Sequence, residues 1–234
     1  MTIDIDVLPN LRDLGGLDTY SGRRTRTGVL YRSALPAPDD TRPTAVTEWP
    51  ARTVIDLRSP REFATRAHPL QSEHTAVHLV SLLTDAEVTE PSSDLRLAEI
   101  YQGILTNAGG RLADVLQIAA TAPGPLLLHC AAGKDRTGVA VALLLRVAAV
   151  EPDDIIADYV STDEHMSAVL ARITRFAPEL GHTHPHDRDL RGVDPGAIEI
   201  VLSHWESHPG GVLGWVQSHG ATDETIQLWI ERFT

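Results

Sequence analysis

Residues 125–129 (PLLLH) follow a Pro123-Gly124 turn signal and are apolar up to the final histidine, while residues 137–150 are apolar nearly all the way round a helix. A strand and a helix that both lack a polar face must be covered on every side. Joined by the short loop 130–136, they confine the chain to a layered α/β fold with this strand at the centre of a sheet and this helix enclosed against it. Residues 28–33 (GVLYRS) and 53–57 (TVIDL) read as further strands, and 77–80 as a weaker one.

The remaining elements follow from periodicity and caps. Ser92 or Ser93 can cap a helix running to about Asn107, and Gly109-Gly110 separates it from a second helix over 111–121. Pro152 suits a first helical position, and Asp153 and Asp154 suit the positive end of a helix dipole, so a long helix starts there and runs toward Phe176. Its apolar positions keep a 3.6 period except over 161–165, which predicts a kink or break. Residues 196–207, 210–218 and 222–233 read as short closing helices. Residues 177–195 have no periodicity, three Pro and three His, and read as a mobile loop or lid.

At 234 residues with 42% hydrophobic content, one domain over 1–234 is the simplest organisation. The formal net charge of −12 argues against a nucleic-acid partner. Residues 1–10 lack the basic start and apolar stretch of a signal peptide, and the longest apolar run is interrupted by Arg146 and far short of the ~20 residues that span a bilayer. The expectation is a cytoplasmic protein with no integral membrane segment; oligomeric state is not legible.

Cys130 is the single cysteine, so neither an intramolecular disulfide nor a multi-cysteine zinc site is available. Lys134, the only lysine, lies four residues later in the segment HCAAGKDRTG, residues 129–138. A helix start presents unpaired N–H groups and partial positive charge, a natural seat for a tetrahedral dianion such as phosphate. Gly133 and Gly138 permit close backbone approach. Arg136 supplies a planar fork that can hold two phosphoryl oxygens at once. At such a site a thiol drops from ~8.5 into a range of roughly 3.5 to 7.5, which makes Cys130 a candidate nucleophile. Thr137 could stabilise the departing thiolate. A plain buried cysteine is the bland alternative, and the spacing from Cys130 through Gly133 to Arg136 and Thr137 disfavours it.

The segment HCAAGKDRTG resembles the phosphate-binding loop of cysteine-dependent protein tyrosine phosphatases, in a GKDR form similar to a bacterial branch with tyrosine, dual-specificity and phosphoinositide activity. Residues 10–16 (NLRDLGG), 30–33 (LYRS), 56–59 (DLRS) with Glu62, and Asp158-Tyr159 extend the likeness over nearly the whole chain. The resemblance implies a central mostly parallel sheet flanked by helices, with extra helices at the C-terminus. It also implies hydrolysis of phosphorylated protein or phosphoinositide substrates through a phosphocysteine, without a metal or other cofactor.

By the same likeness Cys130 is the nucleophile and Arg136 the phosphate clamp. Ala131, Ala132, Gly133, Lys134 and Asp135 line the phosphate loop. Lys134 either favours a substrate carrying an additional phosphate or acts only on the cysteine. For the proton donor two residues stand open: Asp135 inside the loop, and Asp56 at a strand end, whose bland alternative is an ion pair with a nearby Arg. Two rivals are a pseudophosphatase that binds phosphorylated partners without turnover and a sulfurtransferase of the rhodanese type. His182, His184 and His186 with Asp187 and Asp189 could be imagined around a metal, but a flexible loop would lose entropy in forming that site. A surface or packing role suits His204 and His208 beside Trp205.

Overall fold

The computed structural model describes residues 7–234 apart from 39, 42, 65–66, 85–96 and 177–191. Strands β1 (Arg12–Asp13), β2 (Leu30–Ser33), β3 (Thr53–Asp56), β4 (Ala76–Leu79) and β5 (Leu126–His129) form one sheet in the order β1-β2-β5-β3-β4. β1 is antiparallel to β2, and every other pairing is parallel. The apolar run of 126–129 is thus central, between β2 and β3, and buried throughout.

Side chains alternate across the sheet, as the pleat requires. Leu30, Ile55, Leu126 and Leu128 enter the main core, while Tyr31, Val54 and Leu127 enter a second one with Leu8, Leu11, Val46 and Ala51. The helices are α1 (Pro60–Ala64), α2 (Leu97–Asn107), α3 (Gly109–Thr121), α4 (Asp135–Val147), α5 (Pro152–Ser161), α6 (Met166–Phe176), α7 (Pro195–Glu206), α8 (Gly211–Ser218) and α9 (Asp223–Phe233). From Thr137 to Val147 only Arg146 of α4 escapes burial. It pairs with Glu206 on α7 and lies over the Tyr20 ring. Around α4 pack α2, α3, α7 and α8, and Trp229 of α9 donates its indole N–H to the Leu144 carbonyl at 2.8 Å.

The break expected near 161–165 is a 3-10 turn, Thr162–His165, between α5 and α6. Pro152 begins α5 as expected, Asp194 caps α7 and Thr222 caps α9. Gly109 differs from expectation: it opens α3 instead of preceding it, and it is glycine there because a β-carbon would lie 2.0 Å from the His219 ring. The short strand β1 and helix α1 were not foreseen. The expected cap at Ser92 or Ser93 and most of the loop over 177–195 fall outside the described residues. Among the described residues no helix is long and apolar enough to cross a membrane.

Candidate active site

Parallel register brings Ser33, Asp56 and His129 level at the carboxyl ends of β2, β3 and β5. Cys130 is the next residue, so it stands at the end of the sheet where ligands of open α/β folds collect. The chain turns through 131–134 and enters α4 at Asp135. The side chain of the N-cap residue, Lys134, does not cap that helix start, so its first N–H groups take no bond from it. Gly133 has φ +70°, and a β-carbon there would fall 2.2 Å from the Ser33 carbonyl oxygen, so only glycine lets the loop lie against the end of β2. Leu35 N–H donates to the Ala131 carbonyl, and Ala132 packs against Met166 and Val169 of α6.

The Gly133 carbonyl is anchored from below. Asn10 Nδ2 donates to it at 2.9 Å and Arg32 Nη2 at 2.8 Å. Arg32 also pairs with Asp158 on α5, whose other carboxylate oxygen takes Arg12 Nε at 2.6 Å. Arg12 in turn donates to Asn10 Oδ1. Burial would raise the Asp158 carboxyl, but Arg32 and Arg12 outweigh it and hold the group below its ordinary range. Burial beside Arg32 lowers Arg12 to about 10 despite Asp158.

Arg136, one residue into α4, is gripped by Glu62: Nη1 to Oε2 at 2.6 Å and Nη2 to Oε1 at 3.1 Å. Glu62 is itself fixed by a capping box. Ser59 N–H donates to Glu62 Oε2 at 2.8 Å, while Glu62 N–H donates to Ser59 Oγ at 3.3 Å. Burial opposes the Arg136 charge, yet Cys130, Glu62 and Asp135 outweigh it and raise the guanidinium above its ordinary value. Glu62 is pushed up by burial and pulled further down by Arg136, ending below the usual glutamate range.

Asp56 is fully buried and lies against Arg58, which donates from Nη2 at 2.7 Å and from Nε to both oxygens. Burial raises its carboxyl, and His129 and Arg58 more than reverse that. Beside it, Leu70 N–H donates to His68 Nδ1, placing the His68 proton on Nε2, which meets His129 Nε2 at 2.8 Å. The His129 proton then sits on Nδ1, 3.0 Å from the Cys130 carbonyl. Burial and the neighbouring His129 lower His68 to about 3, and burial lowers His129, so both rings are neutral. Ligand atoms of Asp56, His68 and His129 lie within 4.8 Å of one another. Each is already engaged by Arg58 or by the other imidazole.

Cys130 is 3% exposed and Lys134 only 2%, with Lys134 Nζ 3.9 Å from Asp135 Oδ1. The Asp135 carboxylate is partly exposed and accepts from Tyr101 Oη at 2.9 Å. Among the described residues, the buried hydroxyl of Thr137 has no hydrogen-bond partner. Cys130, Gly133, Lys134, Asp135, Arg136 and Thr137 therefore gather at one strand-to-helix turn, with Asp56 beneath it on β3.

Tyr101 gave no signal in the sequence. Glu62, Arg12, Arg32 and Asp158 sit in segments that mark the resemblance, but their mutual contacts were not legible. His204 lies edge-on to Trp215 and His208 Nδ1 meets the Pro209 carbonyl, as packing or surface roles require. The histidines of 182–186 lie outside the described residues.

A family model described as the tyrosine phosphatase family matches residues 3–234. The chain belongs to that family, and its resemblance to the cysteine-dependent tyrosine phosphatases is shown. A Cupriavidus necator protein named "Putative tyrosine-protein phosphatase" is 35% identical over 173 residues, covering 68% of this chain and 62% of its own. The "Triple specificity protein phosphatase PtpB" of Mycobacterium tuberculosis is 31% identical over 209 residues, covering 73% and 74%. A "Tyrosine-protein phosphatase" of Nostoc commune is 32% identical over 137 residues, covering 56% of this chain and 47% of its own. The chain spans less than two thirds of the length of the Cupriavidus and Nostoc relatives.

Proposed function

We propose that the chain is a phosphoric monoester hydrolase, a protein tyrosine phosphatase that forms a phosphocysteine on Cys130. The observation that carries this is the pairing of Arg136 with Glu62: a bidentate grip fixes the plane of a guanidinium beside the sulfur, at a helix start that its own N-cap side chain leaves uncapped. In the first step the Cys130 thiolate attacks phosphorus in line. The S–P bond forms, the P–O bond to the leaving group breaks, and the leaving oxygen takes a proton from the Asp135 carboxyl. Arg136 and the loop N–H groups follow the equatorial oxygens as the phosphoryl group flattens. In the second step water attacks phosphorus and gives its proton back to the Asp135 carboxylate, the S–P bond breaks, and phosphate leaves while Thr137 is available to the departing thiolate.

Asp135 is the better proton donor of the two candidates. Its carboxyl is partly exposed at the loop, whereas both oxygens of Asp56 are taken by Arg58 and are buried. Lys134 is assigned to the electrostatics of the loop, since its burial supports that reading over contact with a second phosphate. The name of the mycobacterial relative, a triple specificity protein phosphatase, supports a substrate range wider than phosphotyrosine alone, and the resemblance of the loop extends that range to phosphoserine/threonine and phosphoinositides. Residues 1–234 act as one phosphatase domain in this reading.

Hydrolysis of a phosphotyrosine peptide by wild-type protein and by Cys130→Ser tests it. Turnover that falls by roughly 10³-fold or more in the variant is expected. Equal rates in the two would overturn the nucleophile. Tight peptide binding by a wild-type protein that never turns over would favour a pseudophosphatase, and sulfur transfer from thiosulfate to cyanide would favour a rhodanese-type reaction.

A further inference from the structure

Two tyrosines buried behind the loop have no place in the chemistry described so far. Tyr101 on α2 is fully buried and Tyr159 on α5 is 1% exposed, with their hydroxyls 2.7 Å apart and their rings edge-on. The Tyr101 hydroxyl also lies 2.9 Å from Asp135 Oδ1. A carboxylate only accepts, so the single Tyr101 proton points at Oδ1, and the Tyr159 hydroxyl must then be the donor in the bond between the two phenols. The chain runs one way: Tyr159 to Tyr101 to Asp135.

Its placement is built into the sequence on both sides. Gly138, one turn along α4, lies flat against the Tyr159 ring, where a β-carbon would come within 2.9 Å of Cδ2. Burial, followed by the charge of Asp135, raises the Tyr101 phenol well above its ordinary value, so this hydroxyl keeps its proton and remains a donor. Lys134 Nζ approaches the same Asp135 oxygen at 3.9 Å.

We propose that Tyr101, backed by Tyr159, is the positioning residue for Asp135: by donating to Oδ1 it leaves Oδ2 as the oxygen that carries the proton and delivers it to the leaving group. This rests on the reading of Asp135 as proton donor. When the P–O bond breaks, the proton passes from Oδ2 to the leaving oxygen, and Tyr101 remains in place on the carboxylate left behind. Water attack on the phosphocysteine returns a proton to Oδ2. The hydroxyl of Tyr159 fixes the rotor of Tyr101 and polarises it.

The test uses kcat/KM for phenyl phosphate and for p-nitrophenyl phosphate, measured on one preparation of each variant, so that any inactive fraction cancels in their ratio. A phenoxide departs poorly without a proton, whereas nitrophenoxide departs readily. Asp135→Asn should shift the ratio against phenyl phosphate by roughly 10²-fold, the scale of general acid catalysis. Tyr101→Phe should shift it the same way by about tenfold, the scale of one charge-assisted hydrogen bond. Tyr159→Phe should shift it less, and should add nothing in the Tyr101→Phe background because it acts only through that residue. If Asp135→Asn shifts the ratio and Tyr101→Phe does not, the positioning role is wrong and the proton donor stands. If Asp135→Asn leaves the ratio unchanged, the proton donor is wrong and the positioning role falls with it. An additive effect of Tyr159→Phe would overturn its place behind Tyr101.

Discussion

At the scale of single residues the site is a set of side chains each held by a second one. Arg136 owes its orientation to Glu62, and Glu62 owes its own to Ser59. Arg136→Lys keeps the charge but loses the fork, and kcat/KM for p-nitrophenyl phosphate should fall by roughly 10² to 10³-fold, as when a fixed transition-state donor is removed. Wild-type kinetics in that variant would mean that the guanidinium plane is not used. Gly133→Ala meets the Ser33 carbonyl and a φ of +70° together. Backbone strain alone costs about 1–3 kcal/mol, and denaturant melting should record at least that loss. The capping box Ser59-x-x-Glu62 could have been read from sequence as the start of α1. Its reach to Arg136, 74 residues away, could not, because nothing local encodes that contact.

At the scale of elements, α5 braces both ends of the loop with adjacent residues. Asp158 holds Arg12 and Arg32, through which the Gly133 carbonyl is fixed, and Tyr159 reaches Tyr101 and so Asp135. Asp158→Asn removes the counter-charge of the buried Arg32 and the part-buried Arg12. A loss of about 3–5 kcal/mol in urea melts is expected, the cost of breaking a buried ion pair from one side. A loss under about 1 kcal/mol would show the pairs to be no better than surface ones. Long periodic elements were legible: the slack at 161–165 became the 3-10 turn, and the apolar stretch after Thr137 became α4. β1 was not, since two charged residues carry no alternation. Gly109 and Gly110 looked like a separator, whereas Gly109 is small because α3 begins against His219.

For the whole molecule, buried titratable groups set how stability responds to acid. His68 and His129 are neutral when folded, with His68 lowered to about 3, so the unfolded chain takes up protons first as pH falls below ~6.5. Stability contributed by the neutral pair is therefore complete above that point and lost on acidification. Asp56, Glu62 and Asp158 are depressed as well, and their stabilisation is lost as pH falls below ~4, which steepens the decline. Denaturation at a series of pH values should show a first decline of about 1.4 kcal/mol per pH unit for each histidine that the fold keeps neutral. His68→Gln can keep the donation to His129 and should flatten that limb while sparing the second. An unchanged first limb would remove His68 from the account.

The sequence made the sheet's centre and the loop's chemistry readable because strand, glycine, arginine and cysteine are contiguous there. The long-range side-chain network around them became visible only with the fold. The most direct test of the proposed site is a crystal structure of the protein with orthovanadate, which mimics the flattened phosphoryl group. Vanadium bonded to Cys130 Sγ, with equatorial oxygens on the loop N–H groups and the Arg136 guanidinium, is the predicted result. Vanadate seated away from the sulfur, or loop N–H groups turned from it, would contradict the mechanism.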